Sequence, residues 1–107
     1  RFAPENYAAN LPLLDEARAC AEEVGCSVAQ LALAWTLAKG DNVIPIPGTT
    51  SRRHLEENWL AGDIELSRDI VARLDEAFLP EKAVGPRYNA MGQSVVTTEM
   101  YPFEQVQ

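Results

Sequence analysis

The chain has 107 residues, of which 47% are hydrophobic and 23% are charged, so it is long enough and apolar enough to form the core of one domain. Its formal net charge is −7, from 16 acidic and 9 basic residues. Nucleic acid and an anionic membrane surface both require a basic face. The sequence therefore predicts neither as a partner, and it contains no apolar run long enough to span a bilayer.

The two cysteines and the first residue bear on where the protein resides and on its length. The spacing of Cys20 and Cys26 matches no zinc or redox motif, and two thiols do not form a disulfide framework. We interpret them as buried or half-buried thiols of a protein in the reducing cytoplasm, and we predict no metal site. Trimming of an initiator Met favours a small second residue. We therefore expect the N-terminus at Arg1 to be internal to a longer protein.

The N-terminal part of the chain predicts a loop followed by two helices. Residues 1–10 show no regular period and are predicted as the loop, and the two helices occupy residues 11–39. Asn10 is the predicted cap of the first helix, which runs to about Val24. Gly25 then closes that helix in a left-handed conformation.

The second helix is apolar nearly all round, which is typical of a helix that lies between layers. Ser27 is its predicted N-cap, and it runs to about Lys39. Residues 42–47 form the one convincing strand, and they lack polar alternation, as expected for a strand covered on both faces. Pro45 and Pro47 each remove a hydrogen-bond donor, which favours a bent or terminal position in a sheet.

Two more helices and a tail complete the pattern. One helix is predicted at residues 51–60, and a second at residues 67–78 with Ser67 as its N-cap. Residues 79–107 show no periodicity and are predicted as a tail. Because one strand cannot form a sheet, and its backbone groups need partners, we expect the chain to contain the end of an α/β fold.

The charge order at the start of the helix at 51–60 is unusual. Arg52, Arg53 and His54 occupy the first turn, and Glu56 and Glu57 follow them. The helix dipole favours the reverse order by about 0.3–1 kcal/mol per charge. Free backbone N–H groups together with two arginines form an anion site, for which phosphate is the usual ligand. The alternative is that both arginines lie in a solvated turn.

An ordered set of motifs resembles the C-terminal third of the aldo-keto reductases. The set comprises the opening RF-x-x-EN, the helix AQLALAW, the strand and turn VIPIPGT, and the helix LEEN. The later segments ARLDEAF and GPRY resemble the bacterial members of the family, so the likeness covers residues 1 to about 90. These enzymes are (β/α)8 TIM barrels that reduce aldehydes and ketones with NAD(P)H. The resemblance implies that residues 42–47 are the last barrel strand and residues 51–60 the last barrel helix.

The resemblance also implies the adenosine-phosphate side of a cofactor site. Thr49 matches a hydroxyl that contacts the ribose phosphate, and Thr50 offers a backbone contact. Glu57 and Asn58 match the pair that holds the adenine edge. Without the resemblance, the latter two would be solvent-facing polar residues of a helix.

Two positions depart from the family's pattern. Gly48 stands where many members have a Lys. His54 replaces an Arg that pairs with the 2′-phosphate and stacks on the adenine. Arg52 or Arg53 can compensate, because a guanidinium binds phosphate in a bidentate manner. The resemblance therefore implies NADP as the cofactor, with NADPH favoured over NADH.

The resemblance implies hydride transfer to a carbonyl carbon, with a proton delivered to the carbonyl oxygen. In the family the proton comes from a Tyr whose pKa is lowered by a Lys that an Asp holds, and a His completes the set. Those residues belong to earlier strands, so none is assigned here, and the isolated chain is predicted to be inactive. Tyr7, Tyr88 and Tyr101 are not that tyrosine. The implied partners are a carbonyl substrate and the remainder of the barrel. The alternative is an inert helical module that associates with another copy.

Overall fold

Helices make up the regular structure of residues 1–95, which are the residues that the computed structural model describes. The α-helices are α1 (Pro4–Asn10), α2 (Leu13–Val24), α3 (Val28–Leu37), α4 (Arg52–Leu60), α5 (Arg68–Ala77) and α6 (Ala90–Ser94). Two 3₁₀ helices span Ala61–Asp63 and Pro80–Lys82. Within this described part of the chain, no helix is long and apolar enough to cross a membrane.

The predicted N-terminal loop is wrong over α1. Pro4 occupies the first turn of this helix, where its missing N–H would have had no helical acceptor. Asn10 ends α1 and does not cap α2, which begins only at Leu13. The Asn10 side chain instead donates to the Val84 carbonyl oxygen at 2.9 Å and accepts from the Val84 N–H at 2.7 Å. A contact with a distant segment therefore decides the conformation of this end of the chain.

Gly25 and Ser27, on the N-terminal side of α3, have the roles that the sequence predicts for them. Gly25 has φ 78°, and its N–H donates to the Ala21 carbonyl oxygen, as predicted for the left-handed end of α2. The Ser27 hydroxyl accepts from the Gln30 N–H at 3.1 Å, and the Gln30 carboxamide oxygen accepts from the Ser27 N–H at 3.2 Å. This is a capping box. The helix ends at Leu37, short of the predicted end at residue 39.

The core lies where α2, α3 and α5 meet. Its buried side chains are Ala17, Cys20 and Ala21 of α2, Leu31 of α3, and Ile70 and Leu74 of α5. At the edge of this core, the rings of Trp35 and Phe78 pack with their centroids 5.7 Å apart. Ser67 caps α5 as predicted, because its hydroxyl accepts from the Ile70 N–H at 3.2 Å. The burial therefore fixes how α5 packs on α2 and α3.

An arginine of α5 joins two carboxylates of α2 beside this core. Arg73 donates from Nε to Glu16 Oε1 at 2.7 Å, and from Nη1 to Glu23 Oε2 at 2.7 Å. The hydrogen bond from Arg73 holds the pKa of Glu16 below its usual value. A carboxyl group whose pKa is depressed by folding stabilises the folded state above its unfolded pKa, and this contribution is lost as the pH falls through the folded pKa.

Acidification is therefore expected to lower the urea midpoint, and Arg73→Met should reduce this dependence. The measurement is a series of urea titrations between about pH 6 and about pH 3, which spans the ordinary carboxyl pKa range. Arg18→Met is the matched control, because Arg18 pairs with Asp15 within α2 itself, whereas Arg73 joins α5 to α2. An Arg73→Met variant that keeps the full pH dependence would contradict the role given to this arginine.

The predicted barrel strand at residues 42–47 is wrong, since the described residues contain no strand. The segment leaves a turn at Asn42 and continues without regular secondary structure, and its side chains Ile44 and Ile46 are 82% and 92% exposed. A strand forms only through hydrogen bonds to a neighbour, and Pro45 and Pro47 contribute no N–H of their own. The apolar run is thus present without the strands that would cover and pair it.

The predicted tail contains short regular elements. They are the 3₁₀ helix Pro80–Lys82 and α6. Between them, the segment near Gly85, which has φ 86°, contacts the N-terminus of the chain: the amino group of Arg1 donates to the Pro86 carbonyl oxygen at 2.9 Å. The remainder of the predicted tail, residues 96–107, lies outside the described residues, and so does Tyr101.

Candidate functional site

The turn before α4 is held by its own hydroxyl side chains. Thr49 Oγ1 accepts from the Ser51 N–H at 3.0 Å, and Ser51 Oγ accepts from the His54 N–H at 3.4 Å. Ser51 is thereby the N-cap of α4. The N–H groups of Arg52 and Arg53, at the first two positions of the helix, have no acceptor within it because of their place in the first turn. They are the backbone donors that an anion would meet there.

The cationic side chains of the first turn differ in their contacts. Arg52 Nε donates to Glu56 Oε1 at 3.1 Å along the helix surface, and both side chains are largely exposed. Arg53 Nη2 lies 3.0 Å from His54 Nε2. Because a guanidinium has no acceptor, the imidazole Nε2 must accept, which puts the proton of a neutral ring on Nδ1. The Arg53 guanidinium therefore reaches the tip of the histidine side chain.

Gly48 leaves open space at the start of the turn. Its φ is not positive, and a Cβ atom added there would meet nothing within 4 Å. The backbone at this position therefore leaves room for the Cβ atom of a larger residue. Thr50, two residues after Gly48, is also predicted to contact the cofactor, and it is exposed.

Glu57 is fixed from the neighbouring helix. Its carboxylate oxygen Oε1 accepts from the Ser27 hydroxyl at 2.5 Å, and its carbonyl oxygen accepts from the Gln30 side-chain Nε2 at 3.0 Å. Both donors belong to the capping box of α3. The sequence predicts the Ser27 cap, but nothing local indicates that this cap also faces α4, because 30 residues separate Ser27 from Glu57.

Asn58 lies half-buried at the rim of an apolar groove of about 370 Å³. The groove is lined by residues of α3, of α4, of the segment 42–47 and of the 3₁₀ helix Ala61–Asp63, among them Leu33, Leu37, Pro45, Pro47, Leu55 and Trp59. Trp59 and Leu55 are largely exposed at its edge. The apolar side of α4 thus faces a groove that α3 and residues 42–47 cover only in part.

The helical repeat puts the predicted residues into two adjoining rows. Arg53 and Glu57 are four residues apart, and so are His54 and Asn58, so each pair lies on one face of α4, one turn apart. The rise of a turn is about 5.4 Å. Arg53 and His54 therefore lie at the N-terminal end of the two rows, and Glu57 and Asn58 lie one turn further on.

Comparison with known proteins places this chain among the reductases. The sequence profile of the Aldo/keto reductase family matches residues 2–78, which include the whole candidate site. The chain belongs to the aldo/keto reductase family. The resemblance inferred from its motifs is thereby confirmed.

Two fungal members of the aldo/keto reductase family are 39% identical to this chain. One is "Aldo-keto reductase yakc [NADP(+)]" of Schizosaccharomyces pombe, over 88 residues that make up 82% of this chain and 26% of that protein. The other is "Aldo-keto reductase" of Gibberella moniliformis, over 89 residues, or 83% of this chain and 27% of that protein. The chain thus spans about a quarter of the length of the curated relatives it matches. No solved structure matches it significantly.

Proposed function

We propose that this chain is part of an NAD(P)H-dependent oxidoreductase that reduces aldehydes and ketones to alcohols, and that its turn at residues 48–51 and α4 supply the adenosine-phosphate side of the cofactor site. The observation that carries the assignment is the pair of arginines in the first turn of α4, beside a serine-capped N-terminus. Family membership supports the reaction class. NADP is the proposed cofactor, in line with the name of the Schizosaccharomyces pombe relative.

Arg53 is the proposed replacement for the arginine of the family pattern, because this chain has His54 at the position of that arginine. Its guanidinium lies against the tip of His54, so a phosphate beside that histidine would also be within reach of the arginine. A guanidinium binds phosphate in a bidentate manner, and the N–H groups of the first turn add donors. These features suit the 2′-phosphate and favour NADPH over NADH.

Asn58 and Glu57 are the proposed contacts of the adenine edge. A carboxamide donates and accepts at once, which matches the neighbouring amino group and ring nitrogen of adenine. Glu57 has one carboxylate oxygen on Ser27, which leaves the other for the exocyclic amino group. When bound, NADPH supplies the hydride for the carbonyl carbon. The residues of this chain hold the remote end of the cofactor, and so orient the reactive end.

The remainder of a (β/α)8 barrel is the proposed partner of the exposed apolar surface. Ile44 and Ile46 lie almost fully exposed on a segment without a pairing strand, and Leu55 and Trp59 border an open groove. Apolar surface of this kind marks an interface. In the longer protein, the remainder of the barrel would cover residues 42–47 and the apolar side of α4. A helical self-association module is not favoured, because a reductase barrel accounts for the same surface.

The test is a comparison of NADPH and NADH affinities in the longer reductase that contains this chain. Replacing Arg52 and Arg53 together by Ala should raise the Kd for NADPH by about 10–100-fold, the effect of losing charge-assisted hydrogen bonds. The Kd for NADH should change little, because NADH has no 2′-phosphate. Fluorescence titration of each cofactor provides both constants.

Arg68→Ala is the matched control for this test, since Arg68 is likewise the first residue of a serine-capped helix. It should leave both affinities unchanged. The converse variant, Gly48→Lys, puts a cation into the open space of the turn and should tighten NADPH selectively. An equal loss for both cofactors in the double variant, or no loss at all, would remove the 2′-phosphate from this turn.

A further inference from the structure

We propose that Ser27 is a positioning residue for the adenine side of the cofactor site, acting through Glu57. This inference rests on the proposed function, because it concerns the residues that α4 presents to the adenosine. Ser27 is the N-cap of α3 and lies outside the motif that the family resemblance assigns to the cofactor.

The Ser27 hydroxyl has two roles at once. Its oxygen accepts from the Gln30 N–H at 3.1 Å, and its single proton is donated to Glu57 Oε1 at 2.5 Å. Capping a helix requires only the oxygen of such a residue. The bond to the carboxylate is therefore additional to the cap, and it directs the Glu57 side chain.

Gln30 holds the same residue by its main chain. The carbonyl oxygen of Glu57 would accept from the Ala61 N–H if α4 continued as a regular helix. The Ala61 N–H instead donates to the carbonyl oxygens of Asn58 and Trp59. The Gln30 carboxamide supplies the donor to Glu57 at 3.0 Å. Side chain and backbone of Glu57 are thus both fixed from α3, and the adjacent Asn58 is fixed with them.

The other serine cap shows what capping alone requires. Ser67 accepts from the Ile70 N–H at 3.2 Å and is exposed. Within the part of the chain that the structure describes, no hydrogen bond joins Ser67 to a carboxylate. The same cap is therefore made at α5 without a link to another helix. This makes Ser67 the natural reference for Ser27.

The proposal has a signature that differs from that of the arginines. Adenine is common to NADPH and NADH, so a displaced Glu57–Asn58 pair weakens both cofactors alike. Removing Arg53, by contrast, should weaken the binding of NADPH and leave that of NADH nearly unchanged. A role in the cap alone would lower stability and leave both affinities unchanged.

The experiment compares Ser27→Gly with Ser67→Gly in the longer reductase. Glycine replaces serine at an N-cap at little cost, so both variants keep their helices. Ser27→Gly should raise KM and Kd about tenfold for NADPH and NADH alike, with kcat nearly unchanged, because a hydrogen bond to a charged group is lost. Ser67→Gly should change neither constant. Ser27→Thr retains a hydroxyl for both bonds and should restore the wild-type values.

Two further variants make every outcome decisive. Gln30→Glu keeps the preferred capping-box residue but removes the donor to the Glu57 carbonyl, so it should weaken both cofactors even if Ser27→Gly does not fold. Asn58→Ala tests the adenine contact itself. If Asn58→Ala weakens binding while Ser27→Gly and Gln30→Glu match Ser67→Gly, the positioning role is overturned. If Asn58→Ala also has no effect, the proposed use of α4 fails instead.

Discussion

The purified 107-residue chain is expected to reduce no aldehyde when it is supplied with NADPH. A reductase of the kind proposed here transfers a proton from a tyrosine whose pKa is lowered by a lysine. The chain has only two lysines, Lys39 and Lys82, and their ammonium groups pair with Asp75 and Glu76. Its single histidine, His54, contacts an arginine. Both lysines of the chain are thus already paired with carboxylates.

The measurement is the loss of NADPH absorbance in the presence of an aldehyde, with the longer reductase as the positive control. The reductase should turn over under conditions in which the chain alone does not. Carbonyl reduction by the purified chain at a rate comparable with that of the reductase would contradict this account. We propose that this chain binds the cofactor and that other parts of the reductase supply the catalytic residues.

Replacing Leu31 by Ala is expected to lower the free energy of unfolding by about 2–5 kcal/mol, which is a large fraction of the stability of a typical domain. Leu31 is only 1% exposed and packs among buried side chains of α2 and α5. Truncation removes its apolar contacts and leaves a cavity between three helices. Urea titration provides the free energy.

Leu37→Ala is the matched control for the Leu31 variant. It makes the same change on the same helix, at a side chain that is 39% exposed and borders the groove. In the chain alone its effect should be well below that of Leu31→Ala. In the longer reductase the effect of Leu37→Ala should increase, because we propose that the barrel covers this groove. Equal effects of the two variants in the chain alone would contradict the packing described for α3.

Local signals explain what the sequence predicts correctly. The caps at Ser27 and Ser67, and the left-handed Gly25, depend on hydrogen bonds that span only a few residues. The cationic first turn of α4 is likewise a local pattern, and the structure shows Arg53 against His54 there. Such features can be recognised in a single stretch of sequence.

Features that depend on distant partners could not be predicted in this way. The helix α1 ends at Asn10, whose side chain pairs with Val84 far along the chain. The bond from Ser27 to Glu57 joins two helices and has no local signal. The segment at residues 42–47 has the composition of a buried strand, but a strand needs neighbours. Composition predicts that a segment suits a sheet, while pairing decides whether it forms one.

The central claim is that the turn at residues 48–51 and the first turn of α4 meet the 2′-phosphate side of NADP. Amide hydrogen exchange of the longer reductase, measured with and without saturating NADPH and NADH, tests it most directly. NADPH should slow exchange across residues 49–54, and NADH should slow it much less. If NADPH binds and protects other parts of the reductase while these amides exchange as in the free protein, the claim is contradicted.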